Sequence, residues 1–279
     1  MRFTKMQGAG NDFIVINNIE EQIPVGKLAG VAARLCSRRL SIGADGMMAV
    51  CPAEDGGDFR MLFYNSDGTL GEMCGNGARC ICRYGFENGL AGGVQRVETT
   101  AGLVTGGRID RRMYRVRLND PTIMKPDFPV VYDGRSFDAS YVELGDPGLP
   151  HCVVRFDGWD ELAPEELREM GRSLRYYSEF PKGANVTFVK VVSPVELKAV
   201  TYERGVEDFT LACGTGCGST VAALALRGAV TGRDVRIAMP GGDLYVTVDA
   251  GNGEARNIYL TGPTNIVCVG EVRDEDLEY

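Results

Sequence analysis

Tyr64-Asn65-Ser66-Asp67-Gly68, then Met73-Cys74-Gly75-Asn76-Gly77, then a run of small and apolar residues to Phe86 decides how this sequence reads. Half a chain later the same order returns: Tyr202-Glu203-Arg204-Gly205, then Ala212-Cys213-Gly214-Thr215-Gly216, then Cys217 to Leu226. Each block reads as strand, turn, cysteine, Gly-X-Gly, helix. Ahead of each block a second echo stands, Gly10-Asn11-Asp12-Phe13 before one strand and Ala184-Asn185-Val186 before another. Two echoes in one order indicate an internal duplication, hence two similar domains related by a pseudo-twofold, with a boundary near Asn119-Asp120-Pro121.

The rest of the chain fits a mixed α/β fold of the α+β type. Short β-type runs recur at 13–16, 59–64, 114–118, 152–154, 186–192, 196–202 and 244–248, separated by turn pairs such as Asn88-Gly89 and Gly241-Gly242. Arg115-Val116-Arg117-Leu118 alternates, as a strand with one wet face does. Helices are expected at 25–39, 75–87, 160–173 and 215–227. The second ends at Asn88-Gly89 and the fourth at Gly228, both stop signals. The fourth is small or apolar almost all round, which predicts a buried helix.

Composition narrows the function. With 30 Lys+Arg against 38 Asp+Glu the formal charge is −8, which argues against a generic nucleic-acid surface and a polybasic membrane patch. No apolar run approaches the ~20 residues of a membrane span. Met1 to Gln7 has no signal-peptide core, so a cytoplasmic location is the expectation. The nine cysteines are an odd number in a chain long enough to fold without disulfides, so free thiols are expected. Cys36, Cys51, Cys80, Cys82, Cys152, Cys217 and Cys268 read as core or near-core fillers. Cys213 and Cys217 have i,i+4 spacing and Cys80-Ile81-Cys82 is a C-x-C. Without a paired C-x-x-C, and with one remote His, neither a metal site nor a redox dithiol is expected.

Cys74 and Cys213 stand apart from the fillers. Glycines after each let the backbone approach a ligand and adopt positive φ. The first helical amides point outward and, with the helix dipole, suit a carboxylate or phosphate. The same position lowers a thiol pKa. If the halves face each other, two sulfurs flank one bound carboxylate. One can remove the proton from the adjacent carbon while the other returns a proton on the opposite face, inverting the stereocentre. The demand is severe: an amino-acid α-proton is roughly 20 pK units weaker than a thiol, at about 1.4 kcal/mol each. Backbone donors around the carboxylate, positioning and exclusion of water must supply the difference.

At these residues the chain strongly resembles diaminopimelate epimerases. The matching stretches are 7–13, 42–46, 64–68, 72–80, 150–153, 183–186, 202–206 and 211–216, in order. Either cysteine motif alone would suggest only the wider superfamily with proline racemases and phenazine-biosynthesis-type isomerases. The resemblance implies two pseudo-symmetric α/β domains, each a curved, mostly antiparallel sheet or barrel around a central helix. It places the active site in the interdomain cleft and returns the last strand to the first domain. The domains are then 1–118 plus 264–279, carrying Cys74, and 119–263, carrying Cys213. No pyridoxal phosphate and no metal is implied, and the oligomer implied is a homodimer.

Carried over by position, Cys74 and Cys213 are the acid and base. Gly75, Asn76, Gly214 and Thr215 form the backbone cradle of the reacting carboxylate. His151 and Glu203 tune the thiols. Asn11, Asn65, Asn185 and Arg204 hold the distal end of the substrate, where an Arg fork suits a carboxylate. On the residues alone, His151 reads as a structural histidine, Arg204 beside Glu203 as a surface pair, and Asn11 and Asn65 as turn residues. The chain departs from the family pattern at Leu149, where an asparagine is common, in Arg38-Arg39-Leu40-Ser41, which lacks a usual histidine, and at Gly46, where some members carry glutamine.

The implied reaction is cofactor-independent interconversion of LL- and meso-2,6-diaminopimelate, in lysine and cell-wall precursor synthesis. A related racemase or epimerase acting on another amino acid, such as histidine or lanthionine, is the alternative that Leu149 favours. An inert amino-acid binder and a thiol redox sensor are the readings from other classes.

Overall fold

The computed structural model describes residues 1–71 and 74–277. Glu72 and Met73 of the first cysteine motif, and Glu278 and Tyr279 at the C-terminus, lie outside the described residues. The chain divides into two compact units, Met1–Val116 with Gly262–Tyr279, and Arg117–Thr261.

The first unit holds α1 (Asn18–Glu21), α2 (Val25–Cys36) and α3 (Gly75–Glu87). Strand Arg2–Gly8 pairs antiparallel with Asn11–Asn17 and with the returning strand Asn265–Glu271. Asn11–Asn17 runs parallel to Gly46–Cys51 through the α2 crossover, and Gly46–Cys51 turns back antiparallel on Phe59–Asn65. The α3 crossover leads to a parallel strand, Val94–Thr99, followed by antiparallel Gly102–Arg108 and Met113–Arg117.

The second unit repeats that plan with α4 (Pro164–Arg175) and α5 (Gly214–Leu226). Arg135–Leu144 pairs antiparallel with Leu149–Arg155, and the α4 crossover gives parallel Asn185–Ser193. Antiparallel Glu196–Glu203 follows, then the α5 crossover to parallel Val235–Met239, then antiparallel Gly242–Gly251 and Glu254–Pro263. Both units therefore carry the same succession of hairpins and crossovers, a mixed, sheet-dominated fold. In neither unit does a strand pairing among the described residues close the sheet into a barrel.

Strand alternation explains the layers. In the first unit Ile14, Ile16, Met47, Ala49, Leu62 and Tyr64 pack on Leu28, Val31 and Leu35 of α2. The intervening positions look the other way: Phe13 and Met48 meet α3 beside Gly77. In the second unit Cys152, Val154, Val186, Phe188 and Tyr202 pack on Leu167, Met170 and Leu174 of α4. The intervening residues face α5, with Thr187 beside Gly216. A strand covered on both faces is apolar throughout, as Gly46–Cys51 is.

The elements differ from the sequence reading in four places. The helix expected at 160–173 is a 3₁₀ turn, Trp159–Glu161, followed by α4, because Pro164 lacks an N–H and suits the first turn of a new helix. Glu166 Oε2 accepts the Ala163 N–H at 3.2 Å there. The helix expected at 25–39 stops at Cys36, with Ser37 extended and Arg39 at φ 74°. The echo of Gly10-Asn11 in Ala184-Asn185 is not a topological match: Asn11 opens the second strand of its hairpin, whereas Asn185 opens the strand after the crossover. Cys268 is exposed on the returning strand rather than near-core.

Helix α5 is tightly seated. A Cβ on Gly218 would stand 2.7 Å from Leu118 Cδ1 and 3.3 Å from Ile258 Cγ2. Leu118 Cδ1 is the far end of a side chain, so the helix yields at modest cost. Gly218→Ala is expected to lower stability by about 1 kcal/mol, read as a shift of the urea midpoint at unchanged slope.

Candidate active site

Cys74 is the N-cap of α3 (φ −118°, ψ 118°) and Cys213 the N-cap of α5 (φ −112°, ψ 106°). In α3 the Gly77 N–H donates to Cys74 Sγ at 3.5 Å and the Ala78 N–H to the Cys74 carbonyl at 2.7 Å. In α5 the Gly216 N–H donates to Cys213 Sγ at 3.4 Å and the Cys217 N–H to the Cys213 carbonyl at 2.9 Å. The sulfur thus takes the place an N-cap oxygen usually fills. The two amides between, of Gly75 and Asn76 or of Gly214 and Thr215, lie upstream of the helical ladder, where an anion is favoured.

The glycines act differently from the sequence expectation. Gly75, Gly77, Gly214 and Gly216 lie inside the helices rather than in left-handed backbone. Their use is proximity: a Cβ on Gly216 would sit 3.1 Å from Thr187 Oγ1 and 3.2 Å from Cys213 Sγ. Gly216 lets the helix end settle onto its sheet.

In the second unit the strand register gathers the remaining candidates. His151 pairs with Asn185, and Val186 with Tyr202, so His151, Asn185 and Glu203 form one row across three strands. That row lies on the same face as Thr187 and Thr201, whose hydroxyls are 3.0 Å apart under α5. Glu203 accepts the Thr210 hydroxyl at 2.5 Å, and Asn185 Oδ1 accepts the Arg204 N–H at 2.7 Å. Arg204 Nη1 donates to the Lys182 carbonyl at 3.3 Å.

The electrostatics of this unit are set by burial. Burial raises the Cys213 thiol well above its ordinary pKa, and the Glu203 charge adds to that. The Thr215 hydroxyl, 3.6 Å from Sγ, and the Gly216 N–H oppose it. The lowering expected at a helix start is therefore outweighed, and Cys213 is held as a thiol. Burial pushes His151 down to about 3, with the Arg204 charge second, so its ring is neutral near pH 7. Burial pushes Cys36, Cys80, Cys82 and Cys152 up to about 12, as befits fillers.

In the first unit Ala9 (φ 51°) and Gly10 (φ 93°) form a two-residue hairpin turn that sets Asn11 opposite Gly8. Asn11 Oδ1 accepts from Asn76 Nδ2 at 2.5 Å, which ties it to α3. Phe13, Gly46 and Asn65 form the row equivalent to His151, Asn185 and Glu203. Asn65 donates from Nδ2 to Thr69 Oγ1 at 3.0 Å, within its own turn. Where the second unit has a carboxylate in this row, Glu203, the first has an amide, Asn65. Asn11, Asn65, Cys74, Gly75 and Asn76 thus belong to the first unit, and His151, Asn185, Glu203, Arg204, Cys213, Gly214 and Thr215 to the second.

Sequence reasoning gave no role to Asp45 or Arg79, which hold Asn11 and Asn76, or to Thr210, which holds Glu203. Arg79 shares α3 with Arg83 and Glu87, so its charge alone gave no signal that its side chain is 0% exposed. Among the described residues no group of three or more His, Cys, Asp and Glu could hold a metal ion, and no helix is long and apolar enough to cross a membrane.

The diaminopimelate epimerase family model matches residues 3–112 and 145–267. The diaminopimelate epimerase of Carboxydothermus hydrogenoformans is 37% identical over 284 residues, covering 97% of this chain and 99% of that protein. That of Aquifex aeolicus is 36% identical over 289 residues and covers 100% of both chains. A solved structure of a probable proline racemase from Agrobacterium radiobacter shares the fold, with a TM-score of 0.71 at 17% identity over 97% of this chain and 92% of that one. Two cysteine-capped helices in a duplicated sheet framework, with a full-length match to these relatives, lead to one statement: the chain belongs to the diaminopimelate epimerase family.

Proposed function

We propose that the chain interconverts LL- and meso-2,6-diaminopimelate without pyridoxal phosphate or metal, by a two-base reaction at one α-carbon. Family membership supports the substrate. The observation that carries the chemistry is the repeated construction of a cysteine capping a buried helix, its sulfur beside two amides upstream of the helical ladder. Those amides take the reacting carboxylate and stabilise the charge that develops as the α-proton leaves. Cys74 as base and Cys213 as acid in the free enzyme is the assignment that the raised Cys213 thiol supports. After one turnover the roles are exchanged.

The charge of Glu203, which Thr210 holds by its hydroxyl, adds to burial in disfavouring the thiolate of Cys213. Neutral His151 stands in the same row as Glu203, with Asn185 between them. Asn11, Asn65, Asn185 and Arg204 hold the distal amino-acid end of the substrate. The two units act as the two domains of the reading above, each bringing one sulfur to the substrate, in a cytoplasmic enzyme that works as a homodimer.

The test is incubation of the protein in deuterated water with LL-diaminopimelate and a panel of L-amino acids, histidine and lanthionine included. Deuterium at the α-carbon of diaminopimelate, appearing with the meso isomer, is the expected result. Exchange confined to another amino acid would replace the substrate, and exchange into none would end the enzymatic reading.

A further inference from the structure

We propose that Asp45 and Arg79 are positioning residues for the reaction, fixing from opposite ends the orientation of the two side-chain amides, Asn11 and Asn76, that stand beside Cys74. Asn11 Nδ2 donates to Asp45 Oδ2 at 3.2 Å. Asn11 Oδ1 accepts from Asn76 Nδ2 at 2.5 Å. Asn76 Oδ1 accepts from Arg79 Nη2 at 2.8 Å. A carboxylate only accepts and a guanidinium only donates, whereas an amide does either. The two ends therefore dictate the polarity of the whole relay. Turning over either amide would set oxygen against oxygen or N–H against N–H, with one partner, Asn76, only 1% exposed.

Both ends are themselves held. Asp45 and Asp12 exchange hydrogen bonds, the Asp45 N–H to Asp12 Oδ1 at 3.0 Å and the Asp12 N–H to Asp45 Oδ2 at 3.2 Å. Arg38 reaches both carboxylates, at 2.7 Å and 2.9 Å, and Lys5 meets Asp12 at 2.7 Å. Arg79 is wholly buried and also donates to the Gly75 carbonyl at 3.3 Å, inside the cradle. Gly8 makes room for it: a Cβ there would stand 3.1 Å from the Asn76 carbonyl oxygen and 3.6 Å from Arg79 Nη2.

The duplication shows that the relay is not needed to fold the turn. Five residues after its cysteine, α5 has Gly218 where α3 has Arg79, and Thr215 stands where α3 has Asn76. Yet α5 makes the same pair of capping bonds. What the relay adds in the first unit is fixed polarity: one remaining N–H and one remaining lone pair of Asn11 always face the same way. In taking Asn11 and Asn76 as substrate-facing groups the inference rests on the function proposed above; the relay itself rests on its hydrogen bonds.

The experiment reads the relay with and without turnover. In protein labelled with ¹⁵N at asparagine, Asp45→Ala is expected to shift the side-chain amide signals of Asn76, which residue 45 does not touch. Arg79→Gln, which can set an acceptor against Asn76 Oδ1, is expected to shift those of Asn11 in the same indirect way, and it decides the matter should Asp45→Ala not fold. In kinetics, Asp45→Ala is expected to raise KM for the amino acid that the parent inverts by about tenfold, with kcat within about threefold. Arg79→Lys, which still only donates, should stay nearer the parent than Arg79→Gln. Unmoved distant amide signals in a folded variant overturn the relay, as does Arg79→Gln matching Arg79→Lys. A parent that inverts no amino acid sinks the functional reading instead, and the amide signals still decide the relay.

Discussion

Cys213→Ala and Cys74→Ala are each expected to lower the rate of α-carbon inversion by about 10²–10⁴-fold, the range for a removed general acid or base. Each is also expected to leave the fold in place. Alanine fits the space of buried Cys213 and of half-buried Cys74, and the loss is one capping contact, Gly216 N–H to Sγ at 3.4 Å or Gly77 N–H to Sγ at 3.5 Å. A lost cap costs about 1 kcal/mol. Loss of turnover in a folded variant therefore reports chemistry rather than stability. Paired assays of deuterium uptake and urea unfolding separate the two. The outcome also distinguishes the classes of function: an inert amino-acid binder would keep its ligand affinity in both variants, and a redox sensor would need both sulfurs only for a disulfide. Turnover surviving in either alanine variant would remove the two-base mechanism.

Much of this was legible in the sequence, for a physical reason. The duplication, the two cysteines and the buried α5 all leave local signals: a repeated order of residues, Gly-X-Gly after cysteine, and a helix without a polar face. Strands such as 59–65 and 196–203 showed themselves because most of their side chains are apolar, aromatic or β-branched. Gly102–Arg108 did not, because its composition answers a neighbour: a Cβ on Gly106 would fall 2.2 Å from Cys82 Sγ of α3. The electrostatics of the candidate residues were not legible. A cysteine at a helix start predicts a lowered thiol pKa, yet Cys213 goes the other way, because burial and the Glu203 charge depend on which strands lie beneath the helix. Asp45 and Arg79 were hidden for the same reason. Their partners are 34 residues and 3 residues away in sequence, and only the hairpin at Ala9-Gly10 and the close approach at Gly8 bring the relay into one line.

Acidification is expected to destabilise the chain through its single histidine. His151 is 0% exposed, and neither ring nitrogen finds a hydrogen-bond partner among the described residues. Burial first, and the Arg204 charge second, hold it down to about 3. In the unfolded chain it titrates near 6.5. Between those values the unfolded state binds a proton that the folded state refuses, so stability falls as pH falls, beginning below about 6.5 and levelling below about 3. At pH 4.5, about two units under the unfolded value, the loss is about 2–3 kcal/mol relative to pH 7. Carboxylates titrate over the same interval, so the decisive quantity is a difference. Urea unfolding of the parent and of His151→Leu at both pH values should show the parent losing about 2–3 kcal/mol more than the variant. Equal losses would mean that the ring takes up a proton inside the folded protein. The row of His151, Asn185 and Glu203 would then carry an imidazolium at one end and, beyond Asn185, the carboxylate whose charge raises the Cys213 thiol at the other, and the charge balance that keeps this sulfur a thiol would have to be redrawn.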